Sequence, residues 1–321
     1  MCENGQIPKI SGVFLWNTSR SISYKACRMR EISTDPAFIA LVFLFAACLA
    51  ISAFNRRAIP LAWLSLVGRW ARCGLFCVAA ALVLANFLPE HPFPILLACG
   101  LAVFFLLETL LYWMRISVFN SDEYSECRRF RECENAWRPE PELIRLKGEI
   151  QSRGFRRVGS AKCSYGGEDL VLATLFESES PGTLLTVAFV PYGDIWRCCC
   201  SAESAAQDGT VVYTEASQAP FGLEYPKKYS ARRLPLVSSP LKLLDAHAER
   251  LAQFGAIATP EVSTATEFLN ARNLEIERCN RLAGLINPPS DMEFDGYLSA
   301  NGKFLVWIDT IKINFFPFLV R

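Results

Sequence analysis

A charge-free apolar run near the N-terminal end constrains this chain more than any other feature. The run is Pro36–Phe54, PAFIALVFLFAACLAISAF, and none of its nineteen residues carries a charge. An α-helix needs roughly 20 apolar residues to cross the hydrocarbon core of a bilayer. The run is also longer than the ~7–15 residue core of a cleaved signal peptide. It therefore predicts a helix that anchors the chain in a membrane.

Two further apolar runs, residues 73–89 and 92–114, follow closely on each other. Only Glu90 and His91 separate them, which leaves room for no more than a tight turn. The two runs predict a helical hairpin through the membrane, with His91 solvated in its outer turn. Together with the first run, they predict about three spans in a transmembrane region that covers residues 36–115.

The segment between the first two runs is apolar but too short to cross a bilayer. Residues 58–70 contain Trp63 and Trp70, and an indole ring prefers the level of the lipid headgroups. We therefore expect this segment to lie in the membrane interface.

The distribution of arginines predicts an orientation, because cytoplasmic loops retain positive charge. The connection 55–72 contains four arginines and no acid, whereas the turn 90–91 contains neither arginine nor lysine. This bias predicts a multi-pass protein of the plasma (inner) membrane with its C-terminal domain in the cytoplasm. The N-terminal segment 1–35 is basic on balance and favours the opposite orientation, unless translation begins at Met29.

The chain after the third run predicts a soluble part. Residues 116–139 mix acids and bases densely and predict a juxtamembrane linker. Short runs rich in Val, Leu, Phe, Tyr and Thr, separated by Gly and Pro turn signals, then predict strands at 155–163, 169–177, 183–192, 195–202 and 210–216. Helical spacing flanks them at 142–154 and 240–255. The pattern predicts an α+β domain over 140–258 with a mainly antiparallel sheet.

The C-terminal segment 259–321 predicts a helix followed by a hairpin. Helical spacing extends over residues 265–285. Asn301-Gly302 lies between apolar runs in YLSANGKFLVWI, which is a strong hairpin signal. The tail 311–320 is too short to span a bilayer and predicts an edge strand or a segment that rests on the membrane.

Three consecutive cysteines, Cys198, Cys199 and Cys200, raise the question of chemistry in a chain with thirteen cysteines and two histidines. Neighbours on a strand point to alternate faces, so the three thiols cannot converge on one tetrahedral metal, and no second pair with zinc spacing accompanies them. A catalytic thiol needs a base, for which His247 on a predicted helix is the only histidine of the soluble part. We expect all four residues to pack in the core, and a Cys–His pair is the enzymatic alternative.

Glu108 is the one carboxylate inside a predicted span, and an intramembrane charge is by default a functional hypothesis. Counted from the outer turn, Arg72 and Glu108 lie at nearly the same height in an antiparallel hairpin, at ~1.5 Å per residue. We expect the two to form a structural ion pair near the cytoplasmic interface. A small transporter subunit centred on Glu108 is the alternative.

Charge and composition exclude several classes of function. The net charge is +1 and basic residues are matched locally by acids, so the sequence predicts no basic surface for nucleic-acid binding. The sequence has no glycine-rich strand-to-helix turn followed by a lysine, so it predicts no phosphate-binding loop. The scattered cysteines indicate a reducing compartment. The sequence therefore predicts a non-enzymatic integral membrane protein without a cofactor or metal. It would contact the bilayer and bind an unidentified protein partner or assemble as a homo-oligomer.

Overall fold

The structure is a computed structural model that describes residues 36–119, 129–165, 168–178, 182–192, 194–218, 223–254, 257–258, 262–288 and 295–320. The predicted N-terminal segment 1–35 lies outside these residues, as do residues 120–128 of the predicted linker. Within the described part, long apolar helices come first and a sheet with its own helices follows.

Three long helices open the fold: α1 (Pro36–Phe54), α2 (Ala62–Phe87) and α3 (Phe93–Met114). Each is long and apolar enough to cross a membrane. A short π-helical segment, Arg115–Phe119, continues from α3. The prediction of three such helices ahead of a sheet-rich domain is confirmed.

The second helix is longer than its predicted span. It begins at Ala62, whereas the sequence predicted a span at 73–89 and a separate interfacial segment at 58–70. Asn55 favours the early start, because its side-chain oxygen accepts the Leu61 N–H at 2.8 Å immediately ahead of the first turn. The larger part of the short apolar segment and the second run therefore form one continuous helix.

Small residues bring the three helices close together. A Cβ added at Gly68 of α2 would lie 2.8 Å from Ile51 Cγ2 of α1, and one at Gly100 of α3 would lie 3.1 Å from the Cys77 backbone of α2. Cys73 and Cys77, one turn apart on α2, are buried where α2 meets α3. Small residues at helix-packing spacing thus form the contact surfaces, as is usual in membrane bundles.

The sheet is built from strands whose neighbours in sequence are also neighbours in space. The strands are β1 (Arg131–Glu132), β2 (Phe155–Tyr165), β3 (Glu168–Ser178), β4 (Leu184–Tyr192), β5 (Ile195–Ala206), β6 (Val211–Ala216), β7 (Tyr229–Arg233) and β8 (Ile257–Ala258). They are ordered β1 to β7, with β8 paired to β5. All pairings are antiparallel except β6 with β7, which is parallel. The mainly antiparallel sheet is therefore confirmed.

Helices cover both faces of this sheet. On one face α4 (Pro141–Ser152) and α5 (Pro240–Leu251) bury their apolar sides against the main core. On the other face α6 (Ala265–Leu282) buries Ala265 and Leu269. Alternate residues of each central strand face the two layers, as the period of a strand requires.

The predicted C-terminal hairpin is wrong, because a helix occupies its place. Helix α7 (Ala300–Phe315) includes Asn301-Gly302 in its first turn. Ser299 caps the helix by accepting the Gly302 N–H at 3.1 Å, and its own hydroxyl donates to the Gly284 carbonyl at 2.6 Å. A serine cap satisfies an N–H that would otherwise lack a helical partner, so the same residues start a helix instead of a turn.

The C-terminal tail packs against the long helices instead of forming an edge strand. Helix α7 continues through residue 315 and is followed by a 3-10 turn, Pro317–Leu319. The Phe315 ring lies 5.7 Å from Trp70 of α2 and 5.2 Å from Phe105 of α3, measured between ring centres. The tail is therefore part of an aromatic cluster with residues of α2 and α3.

Helix α7 also contacts the sheet domain, so it joins the two halves of the chain. Toward the bundle, Trp307 Nε1 donates to the Thr109 carbonyl of α3 at 2.8 Å. Toward the sheet, Asp309 forms an ion pair of 2.7 Å with Arg233 of β7, whose side chain is buried. A buried charge is stable only when it is paired, so this ion pair fixes α7 against the sheet.

Candidate functional site

The connection between α1 and α2 meets the sheet at the open edge of β5. Strand β6 ends opposite Cys200, so the first half of β5 has no β6 partner. The connection supplies one instead: Cys198 N–H donates to the Ala58 carbonyl at 2.9 Å. Ala58 and Ile59 also pack against the main core of the domain. The bundle and the sheet therefore share a backbone hydrogen bond and an apolar contact.

A cavity of about 720 Å³ lies at this junction. Its walls come from the second half of α1, the first half of α2, the end of β4 and the start of β5. The charged residues of the lining are Arg56, Arg69, Arg72, Arg197 and Asp194. Four arginines against one aspartate leave a formal excess of three positive charges. The junction cavity is therefore strongly cationic.

The arginines enter the cavity from three different elements. Arg69 and Arg72 lie three residues apart on α2 and so share one helical face. Arg197 extends from β5, and Arg56 comes from the α1–α2 connection. This arrangement surrounds one volume with guanidinium groups from both halves of the molecule.

Arg56 and Arg69 contact other groups of the protein. Arg56 pairs with Asp194 at 2.5 Å on the exposed rim, and its hydrogen bond holds the pKa of that carboxyl below its usual range. Arg69 directs one guanidinium nitrogen to the carbonyl oxygens of Ile313 and Asn314, at 3.3 and 3.4 Å. These carbonyls belong to the C-terminal end of α7, where the helix dipole is negative. Arg69 is thus held in place by the tail.

The three consecutive cysteines lie where strand alternation predicts. Cys200 is buried in the main core with Cys198 beside it, and Cys199 lies on the opposite face near the Ser217 hydroxyl. Cys198 and Cys199 also line the junction cavity. Burial raises the pKa of Cys199 to about 11, and it raises the pKa values of Cys198 and Cys200 above their ordinary range. All three are therefore neutral thiols at physiological pH.

The structure does not assemble a Cys–His pair. His247 on α5 is 1 % exposed, and both of its ring nitrogens are hydrogen-bonded within the domain. Nδ1 lies 2.8 Å from Thr214 Oγ1, and Nε2 lies 3.1 Å from Ser204 Oγ. Burial, with a smaller effect of the Arg250 charge, lowers the pKa of His247 to about 4. A neutral imidazole with both ring nitrogens hydrogen-bonded inside the domain has a structural role.

Arg72 and Glu108 form no ion pair within 4.0 Å in the part of the chain that the structure describes. Arg72 lines the junction cavity instead. Glu108 lies on α3, one turn before Tyr112. Equal height along a hairpin does not by itself fix the direction in which each side chain points.

A second charged cluster lies deeper in the sheet domain. Glu203 of β5 and Arg272 of α6 approach to 3.9 Å, and both side chains are largely buried. The Arg272 guanidinium also lies 5.8 Å from the centre of the Tyr213 ring. Burial raises the pKa of Glu203. This cluster joins α6 to the sheet and does not reach the junction cavity, so its contacts indicate a structural role.

The sequence pattern did not reveal the cationic cavity. The spacing of Arg69 and Arg72 places them on one helical face only if residues 62–72 are already known to form a helix, which the sequence did not predict. Arg197 is 125 positions away from Arg72 in the chain, and only the fold brings them to one cavity.

No group of three or more His, Cys, Asp or Glu side chains is placed to hold a metal ion among the described residues. Comparison with protein-family models, with curated proteins and with solved structures finds no match for the chain.

Proposed function

We infer that this chain is a non-enzymatic integral membrane protein whose three helices anchor an α+β domain at the cytoplasmic face of the plasma membrane. In this proposal its role is to bind, and the binding site is the junction cavity. The observation that carries the proposal is the cavity itself, because neither half of the molecule forms it alone. Its walls need the helices and the sheet together.

The chemistry of the cavity supports binding over catalysis. The thiols of Cys198 and Cys199 are protonated at physiological pH, since burial raises their pKa values. Cys198 and Cys199 therefore lack the lowered pKa that a nucleophilic thiol needs. The buried His247 is hydrogen-bonded elsewhere and offers them no base.

The charge of the junction supports the proposed orientation. The arginines that predict a cytoplasmic loop, Arg56, Arg57, Arg69 and Arg72, lie at or near the contact between the helices and the domain. Positive charge is retained on the cytoplasmic side of membrane proteins. A domain that docks on this loop would occupy the same side.

The experiment is labelling with a membrane-impermeant maleimide in cells that express the full chain, with modified thiols located by peptide mass spectrometry. We expect Cys198, Cys199 and Cys200 to be labelled readily only after permeabilisation and denaturation, because the domain is inside, Cys200 is buried, and burial keeps the Cys198 and Cys199 thiols protonated. An Arg145→Cys variant is the matched control: position 145 is exposed on α4 and should be labelled after permeabilisation alone.

Two outcomes would contradict the proposal. Labelling of Arg145→Cys in intact cells would place the domain outside the cell. Rapid labelling of one native thiol among Cys198 to Cys200 after permeabilisation, without denaturant, would reveal an activated cysteine and favour a membrane-tethered enzyme.

A further inference from the structure

We propose that the junction cavity binds the headgroup of an anionic phospholipid, with the lipid phosphate held by Arg72, Arg197 and Arg69. The inference rests on the proposed function, since it requires the helices to be in a membrane. It goes further by naming the class of ligand that the cavity recognises and the groups that recognise it.

The charge of the lining selects an anion. Arginine presents a planar fork of donors that matches phosphate oxygens, and such charge-assisted hydrogen bonds are roughly twice as strong as neutral ones. Asp194, the one acid among the described residues of the lining, lies on the exposed rim and is paired with Arg56. Three further arginines, Arg69, Arg72 and Arg197, line the cavity and give it an excess of positive charge.

The position of one arginine is set before any ligand arrives. Arg69 is held by the carbonyl oxygens of Ile313 and Asn314 through one of its terminal nitrogens. A guanidinium group has further N–H donors, so it can bind a phosphate oxygen while it keeps this contact. A donor that is already ordered loses little side-chain entropy on binding.

Arg72 is the arginine of the cavity most open to a ligand. It is exposed and makes no ion pair within the described part of the chain. It lies one turn beyond Arg69 on the same face of α2. A cation at this height on a membrane helix lies near the lipid phosphates, where basic pockets between helices bind anionic headgroups.

The shape of the cavity favours a lipid over a soluble phosphate. Its α1 lining runs from Asn55 back to Cys48, which spans about 10 Å along the helix axis at ~1.5 Å per residue. Ile51 and Cys48 add apolar surface at the height of Arg69 and Arg72, because Gly68 packs on Ile51 and Gly74 on Leu44, and Val190 and Pro191 add apolar surface from β4. Arginines beside apolar surface match an amphiphile with an anionic headgroup.

The α1 part of the cavity lies next to the surface that would face lipid. Helix α1 has no buried residue, and its side chains Phe43, Phe45 and Leu49 are among the large exposed apolar groups. An acyl chain could therefore continue from the cavity along α1 without entering water. A free anion would gain nothing from this apolar surface.

The test measures lipid binding by the full-length protein, purified in an uncharged detergent, with native mass spectrometry. The probes are phosphatidylglycerol, phosphatidylcholine and inorganic phosphate. We expect one phosphatidylglycerol to bind at least tenfold more tightly than phosphatidylcholine. We also expect inorganic phosphate at the same concentration to leave this binding unchanged, because it lacks the acyl chains.

Substitutions locate the site. Arg72→Gln should weaken phosphatidylglycerol binding roughly tenfold, as the loss of one charge-assisted hydrogen bond implies. Arg72→Gln with Arg197→Gln should abolish the preference over phosphatidylcholine. Arg57→Gln is the matched control: it lies in the same connection, stacks on the Phe54 ring at 4.3 Å and does not line the cavity, so its binding should equal that of the wild type.

Each contrary result has a distinct meaning. Equal affinity for the two lipids, or wild-type affinity in Arg72→Gln, would overturn the inference. Competition by inorganic phosphate would also overturn it, because the site would then take a soluble anion. The maleimide experiment stays independent of all of these results, so a failed lipid site and a failed membrane topology remain distinguishable.

Discussion

His247 shows how a single buried residue can make the stability of the whole domain depend on pH. Its ring joins three elements, because it lies on α5 and contacts Thr214 of β6 and Ser204 of β5. The charge on its own helix that acts on the ring is that of Arg250, which donates to Thr214 Oγ1 and to the Tyr213 carbonyl. A protonated imidazole in this place would be both desolvated and repelled.

We predict that the full-length protein loses stability between pH 6.5 and pH 4 through His247. The pKa of His247 is about 4 in the folded state and about 6.5 when unfolded, so acid favours the unfolded chain. This contribution is fully present above pH 6.5, falls as the pH is lowered, and stops changing below about 4. Its total is up to about 3 kcal/mol.

Thermal unfolding in detergent at a series of pH values measures this effect. His247→Gln removes the titration, so the difference in unfolding temperature between wild type and variant should shrink steadily from pH 7 to pH 4. A difference that stays constant over this range would show that His247 does not titrate as proposed.

At the scale of single residues, strand alternation was enough to predict which face of the sheet each cysteine occupies. No local pattern predicted where the arginines of the cavity lie. The opposite faces of Cys198 and Cys199 follow from a period of two, which needs no tertiary information. A pairing of Arg72 with Glu108 does not follow from sequence in this way, because the rise per residue gives a height along α2 but not the rotation of α2 against its neighbours. That rotation depends on close packing at Gly68 and Gly100.

At the scale of elements, α7 is the clearest case in which tertiary contacts overcome a local turn signal. An Asn-Gly pair favours a hairpin on its own. Here Ser299 caps a helix, and Gly302 lies against the Leu285 carbonyl so closely that only a residue without a Cβ fits. The glycine is therefore required for packing and not for a turn.

We predict opposite effects of alanine at two helical glycines. Gly302→Ala should destabilise the protein by more than ~2 kcal/mol, because the new Cβ collides with a backbone atom that cannot move freely. Gly148→Ala should stabilise it by about 0.5–1 kcal/mol, since nothing lies within 4 Å of its Cβ position in α4 and alanine favours a helix.

Unfolding of both variants, followed by circular dichroism in one detergent, compares them directly. Gly148→Ala serves as the control for the general effect of alanine in a helix. An unfolding temperature for Gly302→Ala equal to that of the wild type would contradict the placement of α7 against Leu285.

Strands β2 to β6 were predictable from sequence, but β7 and the two-residue strands β1 and β8 were not. The antiparallel strands β2 to β6 have alternating side chains and recognisable turns between them. Strand β7 has the sequence YSARR, pairs in parallel with β6, and carries Arg233, whose ion pair with Asp309 joins residues far apart in the chain. Neither a parallel neighbour nor a distant ionic partner leaves a local pattern.

At the scale of the whole molecule, two contacts between the helices and the sheet domain bear on the junction cavity, among the residues that the structure describes. One is the α1–α2 connection on the edge of β5, where Ala58 bonds to Cys198. The other is α7, which contacts α3 through Trp307 and the sheet through Asp309. The junction cavity lies by the first contact, and Arg69 connects it to the second. Ligand binding there would depend on both contacts.

The proposed function requires the sheet domain to be docked on the helices, and exchange of the backbone N–H of Cys198 tests this docking. Its hydrogen-bond acceptor, the Ala58 carbonyl, belongs to the α1–α2 connection and not to the sheet. The measurement is hydrogen–deuterium exchange at single-residue resolution on the full-length protein in lipid nanodiscs. We expect the Cys198 amide to exchange as slowly as the central amides of β5. Rapid exchange at Cys198 while those central amides stay protected would contradict the account, because it would mean a folded domain that is not docked on its helices.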